Sequence, residues 1–207
     1  MFNDLTLINV AVILFTIFIS TAVHEVMHAY VALKLGDDLA YHSGRITLNP
    51  LAHIDPFLTV ILPLIMLAIG TTPILAAKPV PINPNRVSGR EMGMALIGIA
   101  GPLTNLVLAI LAGGIIRFAN LDGFMFDFAA TFFSINVGLF VFNMIPIPPI
   151  DGSRVLYAFA PEPVQRVMEQ IESFGIMGVI IIVTVLSPVI SPILDWARLS
   201  LAHLIIG

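Results

Sequence analysis

The sequence predicts an all-α polytopic membrane protein, and three observations carry that prediction. Mean hydropathy is +1.01, and only 11% of the 207 residues are charged, well outside the range of a soluble domain. About five apolar segments approach the roughly 20 residues that a helix needs to cross a ~30 Å hydrocarbon core. The stretches between them are rich in Gly, Pro, Asn and Asp, the composition of turns and loops.

The apolar segments run Leu5 to about Leu35, Phe57 to Ala77, Met92 to Ile116, Phe128 to Ile150 and Phe174 to Leu194. Asp4 precedes the first, with no Lys or Arg ahead of the apolar run and no small-residue cleavage site behind it, so this segment reads as retained rather than as a signal peptide. GDDLAYHSGRITLNPLAHIDP follows as loop or short extended structure. A short extended segment is expected near 44–49, where Ile46 and Leu48 alternate with Arg45 and Thr47. Pro63 and the GTTP at 70–73 make the second segment the candidate for a re-entrant, incomplete crossing. KPVPINPNRVSGRE and RFANLDGFMFD read as further loops. In the third segment Gly93, Gly98 and Gly101, with Ala95 and Ala100, allow close approach between helices and are read as packing residues.

Pro146, Pro148 and Pro149 break the end of the fourth segment. A new helix can start over Ser153 to Phe159. After Pro161, the stretch Glu162 to Ser173 places Val164, Val167, Met168 and Ile171 opposite Gln165, Arg166, Glu169 and Glu172, the pattern of an interfacial helix. No internal repeat or low-complexity tail interrupts the chain, which reads as a single membrane-embedded domain over residues 1–207. Lys34, Arg45, Arg117 and Arg198 on one side nearly balance Lys78, Arg86, Arg90, Arg154 and Arg166 on the other if every segment crosses, so charge bias gives no orientation.

Composition also excludes. The formal charge of -4 is spread thinly, with no basic block, so nucleic acid is not expected as a partner. There is no cysteine, which removes disulfides and thiolate metal sites and leaves His, Asp, Glu or Asn to hold any metal.

Against this apolar background stands TAVHEVMHAYVAL, Thr21 to Leu33. HEVMH fits H-E-x-x-H. On a helix His24 and His28 fall one turn apart on one face, where both imidazoles can reach one zinc ion, and Glu25 sits beside it as a candidate general base. The alternative, polar residues satisfied inside a bundle, has to meet a cost of about 2.5 to 3.5 kcal/mol for an acid in mid-membrane. Zinc requires a third protein ligand, with a fourth position open in a catalytic site. Asp151, Asp55, His53 and His42 are the candidates. Asp151 lies in NMIPIPPIDGSRVL beside proline-broken backbone, and could be either a ligand or the cap of the helix that follows. His53 and Asp55 could orient a ligand or satisfy local backbone. His42 and His203 read as exposed. Asn105 and Asn143 are amides inside apolar runs: Asn105 reads as structural, bonding across helices or to the backbone freed near Pro102, and Asn143 as a donor to a substrate carbonyl or oxyanion.

HEVMH, GRITLNPLAHIDP, AKPVPINPNR, AGPLTN and NMIPIPPIDGSRVL, in that order, resemble the site-two protease family of intramembrane zinc metalloproteases, specifically its compact prokaryotic members without a PDZ domain. The resemblance runs from about residue 20 to 160. It implies His24, His28 and Asp151 as zinc ligands, Glu25 as general base, and Asn143 of the N-x-x-P element near the active site. It also implies cleavage of a transmembrane protein substrate within the bilayer of a prokaryotic cell membrane. The expected reaction is peptide hydrolysis, with GRITLNP holding an unwound substrate by β-addition. A metal-binding membrane transporter and a non-catalytic scaffold remain as alternatives. One tension stands: if both inner segments cross fully, Asp151 arrives on the membrane side opposite to the one where the HEVMH helix exits.

Overall fold

In a computed structural model, residues 6–61 and 77–207 are described. Helix α1 spans Leu7–Lys34 and starts on Thr6, whose hydroxyl accepts from the Asn9 amide at 3.3 Å. Two long helices follow, α3, Arg90–Phe118, and α4, Gly123–Asn143. These three are long and apolar enough to cross a membrane. Between α1 and α3 come the four-residue helix α2, Leu39–His42, a 3-10 turn at Pro50–His53 and a π turn at Pro56–Ile61. The chain ends with α5, Gly152–Phe159, α6, Glu162–Ser173, and α7, Gly175–Ile206. No strand forms among the described residues, and the segment around 45–49 is neither helical nor paired. The candidate re-entrant stretch, Phe57 to Ala77, lies mostly outside the described residues.

The bundle packs through small and polar side chains. Thr16, Ser20, His24 and His28 recur every four residues along α1, all buried, while Leu7, Ile8, Leu14 and Phe15 point outward. On α3 the buried positions include Gly98, Ala100, Gly101, Asn105, Ala109 and Gly113, whereas Leu103, Val107, Ile110 and Leu111 are exposed. This is the pattern expected in lipid, where hydrocarbon outside is as apolar as Leu and helices associate through close small-residue contact.

Element direction follows from the contacts. Ala32, Val87 and Ile97 cluster near the end of α1 and the start of α3, while His24 meets Asn105 deeper in the bundle, so these helices are antiparallel. Phe15 lies against Phe128 and Ser20 against Asn136, so α4 runs parallel to α1. The ends of α1 and α4 therefore share one end of the bundle, and Asp151 follows directly from there. That removes the tension raised by counting crossings. The Ser88 amide donates to the Leu35 carbonyl at 2.8 Å, and buried Asp37 accepts from the Asn83 amide at 2.6 Å, fastening the end of α1 to the approach of α3.

One expectation needs correction: GFMFD, read as loop, forms the first turn of α4, entered through Gly123 at φ +49. The break expected at the end of the fourth segment falls after Asn143, because Pro146 and the two prolines behind it cannot continue the hydrogen-bond ladder.

Candidate metal centre

His24 and His28 sit one turn apart on α1 and are 4% and 6% exposed. Their Nε2 atoms are 2.9 Å apart. Asp151 Oδ2 lies 3.0 Å from the first and 3.2 Å from the second. Donors held 2.0–2.2 Å from one tetrahedral centre stand ~3.3 Å from each other, so this triangle has the size of one face of a four-coordinate site.

The protonation pattern agrees with the distances. His28 Nδ1 is 2.7 Å from the carbonyl oxygen of Ile97. A carbonyl only accepts, so Nδ1 carries the hydrogen and Nε2 presents a lone pair to the triangle. His24 Nδ1 is 2.6 Å from Asn105 Oδ1, an amide oxygen that likewise only accepts. Two nitrogen lone pairs and a carboxylate oxygen converging in a buried space call for a cation. Among the described residues His24, His28 and Asp151 form the group able to hold a metal ion.

Backbone shape makes room for this convergence. A Cβ on Gly101 would sit 2.4 Å from His28 Nε2 and 2.6 Å from His24 Nε2, so α3 backs directly onto the ligand atoms. Gly98 accepts α5, since its Cβ would lie 2.8 Å from Arg154 Cβ and 2.9 Å from the Asp151 carbonyl. A Cβ on Gly152 would sit 2.4 Å from the Met144 carbonyl oxygen, so glycine lets the proline-broken chain fold back toward α1. The glycines read as packing residues do pack, and what two of them pack against is the metal centre.

Asp151 could have capped α5, but it makes no side-chain capping bond there. Its carboxylate faces the imidazoles. Glu25 is half-buried next to His24 and makes no hydrogen bond or ion pair among the described residues. Asn143 is the last residue of α4, and its amide donates to the Leu139 carbonyl of its own helix at 2.9 Å, not to a member of the triad. His53 Nε2 donates to the Thr47 carbonyl at 2.8 Å, and the Asp55 carboxylate accepts from the Phe57 amide at 2.9 Å, so both serve local backbone. His42 is exposed on α2, 3.4 Å from Asp38, and His203 is exposed on α7. Asn105, expected to bond across helices, does so onto a metal-facing histidine, a role that its position in the sequence does not announce.

Known proteins are similar to this chain over most of its length. A Bacillus subtilis (strain 168) protein named as a zinc metalloprotease, YwhC, is 36% identical over 200 residues, which span 91% of this chain and 88% of the relative. The chain belongs to the site-two protease family. Rip2 of Mycolicibacterium smegmatis, likewise named as a zinc metalloprotease, is 29% identical over 83% of this chain and 65% of its own length. Zinc metalloprotease MJ0392 of Methanocaldococcus jannaschii is 28% identical over 72% of this chain and 34% of its own. No family model and no solved structure matches the chain.

Proposed function

We propose that this chain is a multi-pass intramembrane zinc metalloprotease that hydrolyses a peptide bond within or near a transmembrane segment of a substrate protein. The observation that carries the reading is the convergence of His24 Nε2, His28 Nε2 and Asp151 Oδ2 within 3.2 Å of one another, on a helix where Glu25 has no competing partner among the described residues. The names of the relatives support zinc as the metal and proteolysis as the activity.

Zinc held by these three ligands would supply Lewis acidity toward a peptide carbonyl and an attacking water. Glu25 takes the proton of that water on its carboxylate and returns it to the leaving amide nitrogen. Asn143 Nδ2, released from the Leu139 carbonyl, donates to the oxygen on which negative charge develops. A helical substrate hides its peptide bonds in its own ladder and must unwind first. The 45–49 segment, with Leu48 exposed and no strand beside it among the described residues, offers backbone for holding the unwound chain.

The test is metal analysis of purified protein together with cleavage of a model transmembrane substrate by wild type and Glu25→Gln. One zinc per chain is expected in both. Cleavage should fall by ~10²–10⁴-fold in the variant, the range for loss of a general base. Cleavage unchanged in Glu25→Gln, or a wild type without metal, would refute the assignment; flux of metal across vesicles without cleavage would favour a transporter.

A further inference from the structure

We propose that Asn136, a residue of α4 outside the metal triad, is a positioning residue for His24: acting through Asn105, it fixes which imidazole nitrogen faces the metal. The inference rests on the metal reading above and extends it to a third helix.

Asn105, Asn136 and Ser20 are all 0% exposed, so each polar atom must find its partner inside the bundle. The chain of bonds starts at a group whose role is fixed. The Phe132 carbonyl only accepts, so the end of the Asn136 amide that lies 2.9 Å from it is the nitrogen, Nδ2. The second Nδ2 hydrogen goes to Ser20 Oγ at 2.9 Å. Asn136 Oδ1 is thereby turned toward Asn105 and accepts from its Nδ2 at 3.0 Å. The Ser20 carbonyl, 3.4 Å from the same Nδ2, is a second acceptor-only group that demands the same orientation. Asn105 Oδ1 is left facing His24 Nδ1 at 2.6 Å and can only accept. His24 Nδ1 must then carry the hydrogen, and Nε2 must carry the lone pair.

Two backbone carbonyls, on α4 and α1, thus set the tautomer of a ligand through two side-chain amides. Turning the Asn105 amide over would place its oxygen against both Asn136 Oδ1 and the Ser20 carbonyl, acceptor on acceptor in a buried space. His28 needs no such chain, because a backbone carbonyl orients it directly. Without Asn136 the Asn105 amide loses its main guide, and His24 can take the form with hydrogen on Nε2, pointing a proton where a cation has to sit.

The decisive comparison is Asn136→Leu, of similar shape without polarity, against Asn136→Thr, whose hydroxyl can donate to the Phe132 carbonyl one turn back and accept from Asn105. Zinc affinity is measured by competition with a chelator, and ligand geometry by the visible spectrum of the cobalt-loaded protein. Asn136→Leu should lose ~10–100-fold in affinity, as for other outer partners of ligating histidines, and change the cobalt bands; Asn136→Thr should recover most of both. A folded Asn136→Leu protein with wild-type affinity and spectrum overturns the proposal. Should Asn136→Leu not fold, nitrogen-15 histidine spectra of metal-free wild type and Asn136→Thr decide: hydrogen on Nδ1 of His24 supports it, hydrogen on Nε2 overturns it. A wild type that takes up neither zinc nor cobalt removes the metal reading, and this inference with it.

Discussion

The metal centre is assembled from two halves of unlike construction. The histidine half belongs to α1, α3 and α4, where Ala29, Ala32, Asn105 and Asn136 have no exposure at all, and every hydrogen bond that orients an imidazole is buried. The acid half is Asp151 at the head of α5, with its side chain 25% exposed. It reaches the site on proline-broken backbone, and α5 is tied to α6 by contacts open to water: Arg154 to Glu172 at 2.5 and 3.1 Å, and Tyr157 to Glu169 at 2.5 Å. A polar cleft of about 500 Å³, lined by Arg90, Glu91, Tyr157 and Glu169 among others, separates this pair from the start of α3. Exposed pairs add little to stability where buried packing adds much. The contrast therefore sets a wholly buried, rigid histidine half against a carboxylate whose backbone packs on Gly98 and whose side chain opens to water.

The strongest way to break that contrast is to intrude on the rigid half. Gly101→Ala puts a methyl group inside van der Waals contact of both Nε2 atoms, and the surrounding helices have no slack to absorb it. Metal affinity should fall by ~100-fold or more, at or beyond the top of the range for losing an outer partner, while the far-ultraviolet circular dichroism stays helical. Near-normal zinc binding would mean that the bundle yields and that the histidine half is not the rigid one.

A gentler change sharpens the other half. Glu172→Gln removes the charge opposite Arg154, a pair whose side chains are 35% and 37% exposed. Stability should drop by ~0.5–1 kcal/mol in low salt and by less in high salt, where screening has already weakened the pair. Zinc affinity should change only a few-fold. A loss as large as that from Gly101→Ala would show the two halves to be one mechanical unit.

What the sequence disclosed follows the same division by range. The pairing of His24 with His28 is legible because their relation is local, one helical turn. Asp151 was legible in part, because an acid beside Pro148 and Pro149 at the edge of an apolar run has few benign explanations. The limits of α6 fall where Pro161 and the amphipathic pattern place them. The link of His24 to Asn105, 81 positions apart, leaves no local trace. Nor does the role of Gly101, since a glycine pattern marks a close approach without naming what approaches. The tension over crossings has the same origin: the bond joining Leu35 to Ser88 is tertiary, and no period or composition encodes it.

The smallest effect probes the outer clamp of the acid half by pH. The hydrogen bond to Glu169 comes first among the causes that push the Tyr157 hydroxyl up to about 12, followed by partial burial and the charges of Glu169, Glu91 and Glu172. A raised value in the fold means that folding favours the protonated phenol. Its contribution is complete below the ordinary value near ~10 and is lost as pH rises through about 12. The Tyr157 contribution to stability should therefore not vary between pH 7 and 9, roughly a unit or more below that onset, and should decline above it by an amount that Tyr157→Phe abolishes. The difference in tyrosinate absorbance between wild type and Tyr157→Phe isolates the ionisation itself. A midpoint at the ordinary value would mean that the bond to Glu169 is absent in solution and that α6 is held to α5 by the Arg154 pair and the Gln165 amide on the Tyr157 carbonyl.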